Sequence, residues 1–325
     1  MRHTRGYIHK FDTKAQFDTA RANDYVEPWL SYTESEAKVD YNKGLLETPL
    51  TFEITGDGDI IWMTNDSVGK TIEYKKNDGE WTSITSTTDD TSIDVVSGDV
   101  IQFRGNNAQY GRGNGGFNAF NRSTAQFKVK GNIMSLIDST NFSTLTALES
   151  GYTFSYLFYN CTGLTDASKL LLPATTLKDS CYYAMFSACE SLTTAPELPA
   201  TTLANDCYYY MFANCYSLTT APELPATTLA SNCYEGMFMT CVSLTTAPEL
   251  PAAILTASCY IRMFQYCTKL NYIKCLATDI SASRCTTNWA QNVASSGTFV
   301  KPASMTGWTE GNNGIPAGWT VVDAS

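Results

Sequence analysis

Residues 181–270 repeat with a period of 26. The units read CYYAMFSACESLTTAPELPATTLAND, CYYYMFANCYSLTTAPELPATTLASN and CYEGMFMTCVSLTTAPELPAAILTAS, then CYIRMFQYCTKL. A fixed period of this length marks a solenoid, in which each unit packs only on its neighbours. Two cysteine series carry the register. Cys181, Cys207, Cys233, Cys259 and Cys285 form one; Cys189, Cys215, Cys241 and Cys267 form the other. Cys161 joins the second after a 28-residue step, which places a two-residue insertion in DASKLLLPATTLKDS. Beyond Cys267 the pattern decays, and Trp289 takes the methionine slot.

The run CYxxMFxxC predicts a helix of about two turns. Ser180, Asp206, Asn232 and Ser258 precede the first cysteine and suit N-caps. Positions 1, 2, 5, 6 and 9, for example Cys207, Tyr208, Met211, Phe212 and Cys215, share a stripe expected to face the core. An extended run follows from Leu192, Leu218, Leu244 and Leu270. Proline removes a ladder bond, so Pro196, Pro222 and Pro248 should end a parallel strand confined to Leu-Thr-Thr-Ala.

The text MFANCYSLTTAPELP has an aromatic residue before a cysteine, then a small residue and a leucine opening the strand. In this it resembles the bacterial leucine-rich repeats of the BspA type, common in gut Bacteroidales. The resemblance covers about residues 131–325 and departs in its period, 26 rather than a shorter unit. It implies a leucine-rich-repeat solenoid of 26-residue units and a place on a bacterial surface.

The expected fold class is α+β and multidomain. Residues 1–48 read as an N-terminal anchoring arm, with a capping box at Thr13 and Gln16 and two short strands in YVEPWLSYTE and AKVDYN. The text GYIHKFDTKAQF…YVEPWLSYTE…VDYNK resembles N-terminal segments of gut Bacteroidales surface proteins and phage structural proteins. That resemblance implies docking on a virion or surface scaffold. Residues 49–130 hold about seven short alternating runs, with Asn77-Asp78-Gly79 closing a hairpin, and suggest an immunoglobulin-like or fibronectin-like β-sandwich. GNNAQYGRGNGGFNAFNRS lacks the Gly-Lys-Ser/Thr ending of a P-loop and reads as a mobile loop, with a binding role as the alternative. Residues 131–325 read as the solenoid, with a C-terminal cap over about 297–325 in which Trp308 and Trp319 cover the last core edge.

The formal net charge of −10 argues against a nucleic-acid partner, and no apolar run approaches the ~20 residues of a membrane span. The first residues carry no apolar signal region. The expected location is therefore a bacteriophage virion, with the bacterial cell surface or extracellular space as the alternative. The two histidines, His3 and His9, both lie in the arm, and no Cys-x-x-Cys pair is present. No catalytic residue, cofactor or metal is expected. The cysteine ladders should behave as small core hydrophobes, while Cys275, in the slot of Glu197, Glu223 and Glu249, should be exposed. Those glutamates would stand about 5 Å apart in adjacent units, as a solvated stripe or a Ca²⁺-bridged one. Three equivalent carboxylates do not separate their pKa values as a glycosidase pair does.

The units differ mainly at Tyr183/Ala184, Tyr209/Tyr210, Glu235/Gly236, Ile261/Arg262 and at the pairs four residues on. On a helix these offsets form one face opposite the core stripe. Tyrosine, which gives large contact area at low entropy cost, is prominent there. The candidate ligand-binding residues are Tyr183, Tyr209, Tyr210, Asn214, Tyr216, Glu235, Arg262, Gln265 and Tyr266. The expected function is non-enzymatic recognition or adhesion: a phage fibre or decoration protein presenting this face to a bacterial surface glycan or protein. A structural spacer without a ligand, or a bacterial surface adhesin, is the alternative. No sustained apolar heptads indicate a trimeric coiled coil, and homo-oligomerisation is left open.

Overall fold

A computed structural model describes residues 44–89 and 91–324. The expected capping box, the two short strands and, apart from residues 44–48, the anchoring arm lie outside the described residues.

Alternating apolar residues build the first strands. They are β1 (Leu50–Gly56), β2 (Gly58–Thr64), β3 (Thr71–Lys76), β4 (Thr82–Thr85), β5 (Thr91–Val95), β6 (Val100–Gly105), β7 (Asn118–Ala119) and β8 (Gln126–Asn132). β9 (Leu164–Leu171) comes from the 28-residue unit. Six strands pair in the order β4-β3-β6-β1-β8-β9, antiparallel except for β8 with β9; a second sheet runs β5-β2-β7. Asn77, with φ 52°, turns the β3–β4 hairpin. On the core side Phe52 stacks on Phe127 at 4.7 Å, and Trp62 is fully buried with its indole N–H donating to the Lys70 carbonyl at 2.8 Å. The Gly/Asn-rich segment, expected as a mobile loop, contributes β7 and buries Tyr110, Phe117 and Phe120.

The expected α+β class, with a sandwich leading into a leucine-rich-repeat solenoid, is overturned. Among the described residues the structure is almost all β, 29% strand and 4% helix, in three sheets. The larger sheet does not close as an immunoglobulin-like or fibronectin-like module, because β8 hands its edge to β9 in parallel. No helix forms at CYxxMFxxC. Instead the amides alternate. Tyr183, Met185, Ser187 and Cys189 bond back three residues to Ser180, Tyr182, Ala184 and Phe186. Tyr182, Ala184, Phe186 and Ala188 bond to Cys207, Tyr209, Met211 and Ala213 in the next unit, at 2.7–3.0 Å. Every fourth residue takes positive φ: Ser180 at 55°, Ala184 at 49°, Ala188 at 61°. Each unit is thus a rung built on a string of tight turns. The left-handed residues cost about 1–2 kcal/mol each. Bonds between rungs, about 1 kcal/mol each, offset that cost, and a helix satisfying its own amides would forgo them. Ser180, Asp206, Asn232 and Ser258 are therefore left-handed turn residues and not helix caps.

The Leu-Thr-Thr-Ala runs pair across rungs through single parallel bridges, such as Asp166↔Thr194 and Thr194↔Thr220. Inside the stack, Tyr182, Tyr208, Tyr234 and Tyr260 are buried and stack at 5.8–6.1 Å. Phe158, Phe186, Phe212, Phe238 and Phe264 form a second column at 5.2–5.8 Å. Each such ring removes enough apolar surface from water to contribute about 1.5–3 kcal/mol. Cys189, Cys215, Cys241 and Cys267 donate their thiols to carbonyls of the preceding rung at 2.9–3.2 Å. The stack ends in a parallel sheet of β10 (Tyr272–Lys274), β11 (Thr298–Pro302) and β12 (Thr320–Ala324). There Trp308 stacks on Trp289 at 5.3 Å, and the Trp319 indole donates to the Ala294 carbonyl. Among the described residues no helix is long and apolar enough to cross a membrane.

Candidate functional site

The first left-handed residue of each turn string from residue 180 onward is Ser180, Asp206, Asn232, Ser258 or Arg284, with φ between 54° and 59°, and Tyr152, at 55°, holds the slot in the string before. The 26-residue register sets them in one column. Beside it runs a second column, Tyr183, Tyr209 and Glu235. Together they line a groove of about 520 Å³ along the stack. Arg112, Gly113 and Gly115 of the Gly/Asn-rich segment, with Tyr152 and Tyr156, line it where the stack meets the first sheets, and Arg284 lines the other end.

The ring of Tyr183 lies between Tyr156, at 5.3 Å and 49°, and Tyr209, at 4.6 Å and 9°. Tyr209 stacks on one face, Tyr156 packs obliquely against the ring, and the Tyr183 hydroxyl donates to that of Tyr156. The Tyr209 hydroxyl donates to Glu235 Oε1 at 3.4 Å, and Asn232 Nδ2 donates to Asp206 Oδ1 at 3.0 Å. Arg112 Nε pairs with Asp66 Oδ2 at 2.8 Å. Burial pushes the Glu235 carboxyl up from its ordinary value, against the opposing pull of Arg262, the Tyr209 hydrogen bond and Arg284. Burial also pushes up the hydroxyls of Tyr183 and Tyr209, so both are neutral donors at neutral pH. The lining offers hydroxyls, an amide and carboxylates, and it contains neither histidine nor cysteine.

Of the nine residues singled out from the sequence, Tyr183, Tyr209 and Glu235 line the groove. Tyr210 and Arg262 bond to each other, and Tyr210 packs on Tyr209 at 4.6 Å. Tyr210 also lies across Gly236, where an added Cβ would come within 2.8 Å of its ring. Asn214, Tyr216, Gln265 and Tyr266 are not in the lining. Gln265 is buried and its Nε2 bonds Gln291 Oε1 of the next rung. The nine do not form one exposed face: Glu235 and Gln265 are buried, while Tyr216, Arg262 and Tyr266 are exposed. The polar column of Asp206, Asn232 and Ser258 was missed as a site. Its signal was visible, a short polar residue at one slot of four successive units, but helix caps use the same residue types.

Cys275, expected to be exposed, is fully buried, and burial pushes its thiol up to about 12. Glu249 forms an ion pair with Lys274 at 2.7 Å, while Glu197 and Glu223 border a second, proline-lined groove. Among the described residues no group of three or more His, Cys, Asp or Glu side chains could hold a metal ion. No protein-family model, curated protein or solved structure matches the chain.

Proposed function

We propose that this chain is a non-enzymatic recognition protein that holds a bacterial cell-surface ligand along the groove. One observation carries the proposal: short polar side chains recur at a single left-handed column, beside phenol hydroxyls, along an open groove. A row of this kind sets a hydrogen-bonding group at each rung, which suits a ligand that itself repeats. The bacterial setting is supported by the resemblance of the repeat text to BspA-type proteins. The carrier is a bacteriophage virion, on which the chain serves as fibre or decoration, or a bacterial surface. Mass spectrometry of purified phage particles tests the virion placement.

The test of recognition is binding of the labelled full chain to intact gut Bacteroidales cells. Saturable binding is expected, weakened at least about tenfold, or 1.4 kcal/mol, in an Asp206→Ala, Asn232→Ala double variant that keeps a single cooperative unfolding transition. Equal binding by the variant contradicts the groove as the site. Absence of binding to every strain favours a structural spacer. Hydrolysis of a bound glycan, lost in Glu235→Gln, would overturn the non-enzymatic assignment.

A further inference from the structure

We infer that the groove takes a linear, uncharged, polyhydroxylated polymer, a neutral polysaccharide, laid along the stack axis. The inference rests on the recognition function proposed above and names its ligand class. The first argument is length. The column from Ser180 to Arg284 takes one residue from each of five successive rungs. At about 4.8 Å per rung it extends about 19 Å, the reach of a chain and not of a single small molecule.

The second argument is charge. The two cations and two carboxylates of the lining, Arg112, Arg284, Asp206 and Glu235, balance in number. Three of them are also engaged within the protein: Arg112 with Asp66, Asp206 with the Asn232 amide, Glu235 with the Tyr209 hydroxyl. A polyanion would meet the two carboxylates and a polycation the two guanidinium groups, so neither is drawn by the field of the groove.

The third argument is what the lining cannot offer. A nucleobase or an aromatic side chain needs a free ring face, and the neighbouring tyrosines Tyr183 and Tyr209 spend theirs on each other, on Tyr156 and on Tyr210. An extended peptide adding as a strand needs free backbone amides. Here the amides of Tyr182, Tyr183, Tyr208 and Tyr209 are spent on turns and neighbouring rungs. What the lining presents is hydroxyl, amide, guanidinium and carboxylate groups, each able to make hydrogen bonds beyond the one it makes within the protein. A chain of sugar hydroxyls matches that inventory.

The experiment has two arms, both with the full chain. The first measures affinity for linear neutral hexasaccharides (β-1,4-glucan, β-1,4-mannan, β-1,4-xylan and α-1,4-glucan) and for polygalacturonate. At least one neutral hexamer should bind, with little change as salt rises. Its trimer and the Asp206→Ala variant should each bind at least about tenfold more weakly. Preference for polygalacturonate, or failure of every neutral hexamer to bind, overturns the inference. The second arm treats the cells. Binding should be lost after periodate oxidation, which cleaves vicinal diols, and kept after protease digestion. Binding lost to protease and kept after periodate overturns the neutral-polysaccharide assignment while recognition itself stands. Absence of binding to untreated cells removes the recognition function on which the inference rests.

Discussion

Glu235 sits 9% exposed on the groove wall, and burial raises its pKa above the ordinary carboxylate value. The folded chain therefore holds this proton more tightly than the unfolded chain. Its contribution to stability is complete below the unfolded pKa and is lost as pH rises through the raised folded value. Glu235→Gln should raise Tm at about pH 7, and the difference should close by about pH 4. A lower Tm for the variant at neutral pH, read by calorimetry, would speak against a desolvated carboxylate. The cysteines follow the same physics. All eleven are free and buried, and burial pushes Cys207, Cys259 and Cys267 up to about 12. Few thiolates exist at mildly alkaline pH, so a thiol reagent should leave the native chain unlabelled and label all eleven in guanidinium. Rapid native labelling of Cys275 would restore its expected exposure. Ladder cysteines were legible as core residues because they recur on the inward stripe. Cys275 was not, because it replaces a glutamate that is exposed in three other units.

At the scale of the element, the turn string and a two-turn helix bury the same positions. Turns with a left-handed residue every fourth place and a helix of 3.6 residues per turn agree over nine residues. Cys207, Tyr208, Met211, Phe212 and Cys215 are inward in either case, which is why the core stripe was legible and the conformation was not. A nine-residue helix is also marginal by itself. The left-handed residues Tyr210, Thr240, Arg262 and Tyr266 are not types that favour positive φ. Bonds to the next rung select that geometry, and local sequence does not display them. Ala184 separates the two conformations. In a helix interior Ala→Gly costs about 1 kcal/mol. At φ 49° glycine relieves about 1–2 kcal/mol of strain, against about 0.4–1 kcal/mol of added unfolded-state entropy. The buried methyl lost costs about 0.8 kcal/mol more, so Ala184→Gly should change stability by less than about 1 kcal/mol either way in urea denaturation. A loss of about 2 kcal/mol would indicate a helix.

At the scale of the whole molecule, one hydrophobic core runs from β1 to Trp319. Phe52 reaches Phe158 at 6.0 Å, and Phe158 opens the Phe column of the stack. The extra two residues of the 28-residue unit fall at β9, which mates with β8. The insertion was visible in the cysteine spacing, but its role as the join was not, because parallel pairing depends on a partner remote in sequence. The groove was only partly legible for a similar reason. Its tyrosines stood out as variable positions, whereas Arg112, Gly113 and Gly115 arrive from a segment read as a mobile loop. If rungs are interchangeable and carry the ligand, removing one of them shortens the groove without destroying the stack. Excision of residues 207–232 joins Asp206 to Cys233 in register and removes Tyr209 and Asn232. The decisive measurement is the affinity of this shortened chain for gut Bacteroidales cells, beside that of the full chain, once a single cooperative unfolding transition shows it folded. A folded chain that binds at least about tenfold more weakly is the expected result. A folded chain that binds as tightly as the full one contradicts recognition along the rungs.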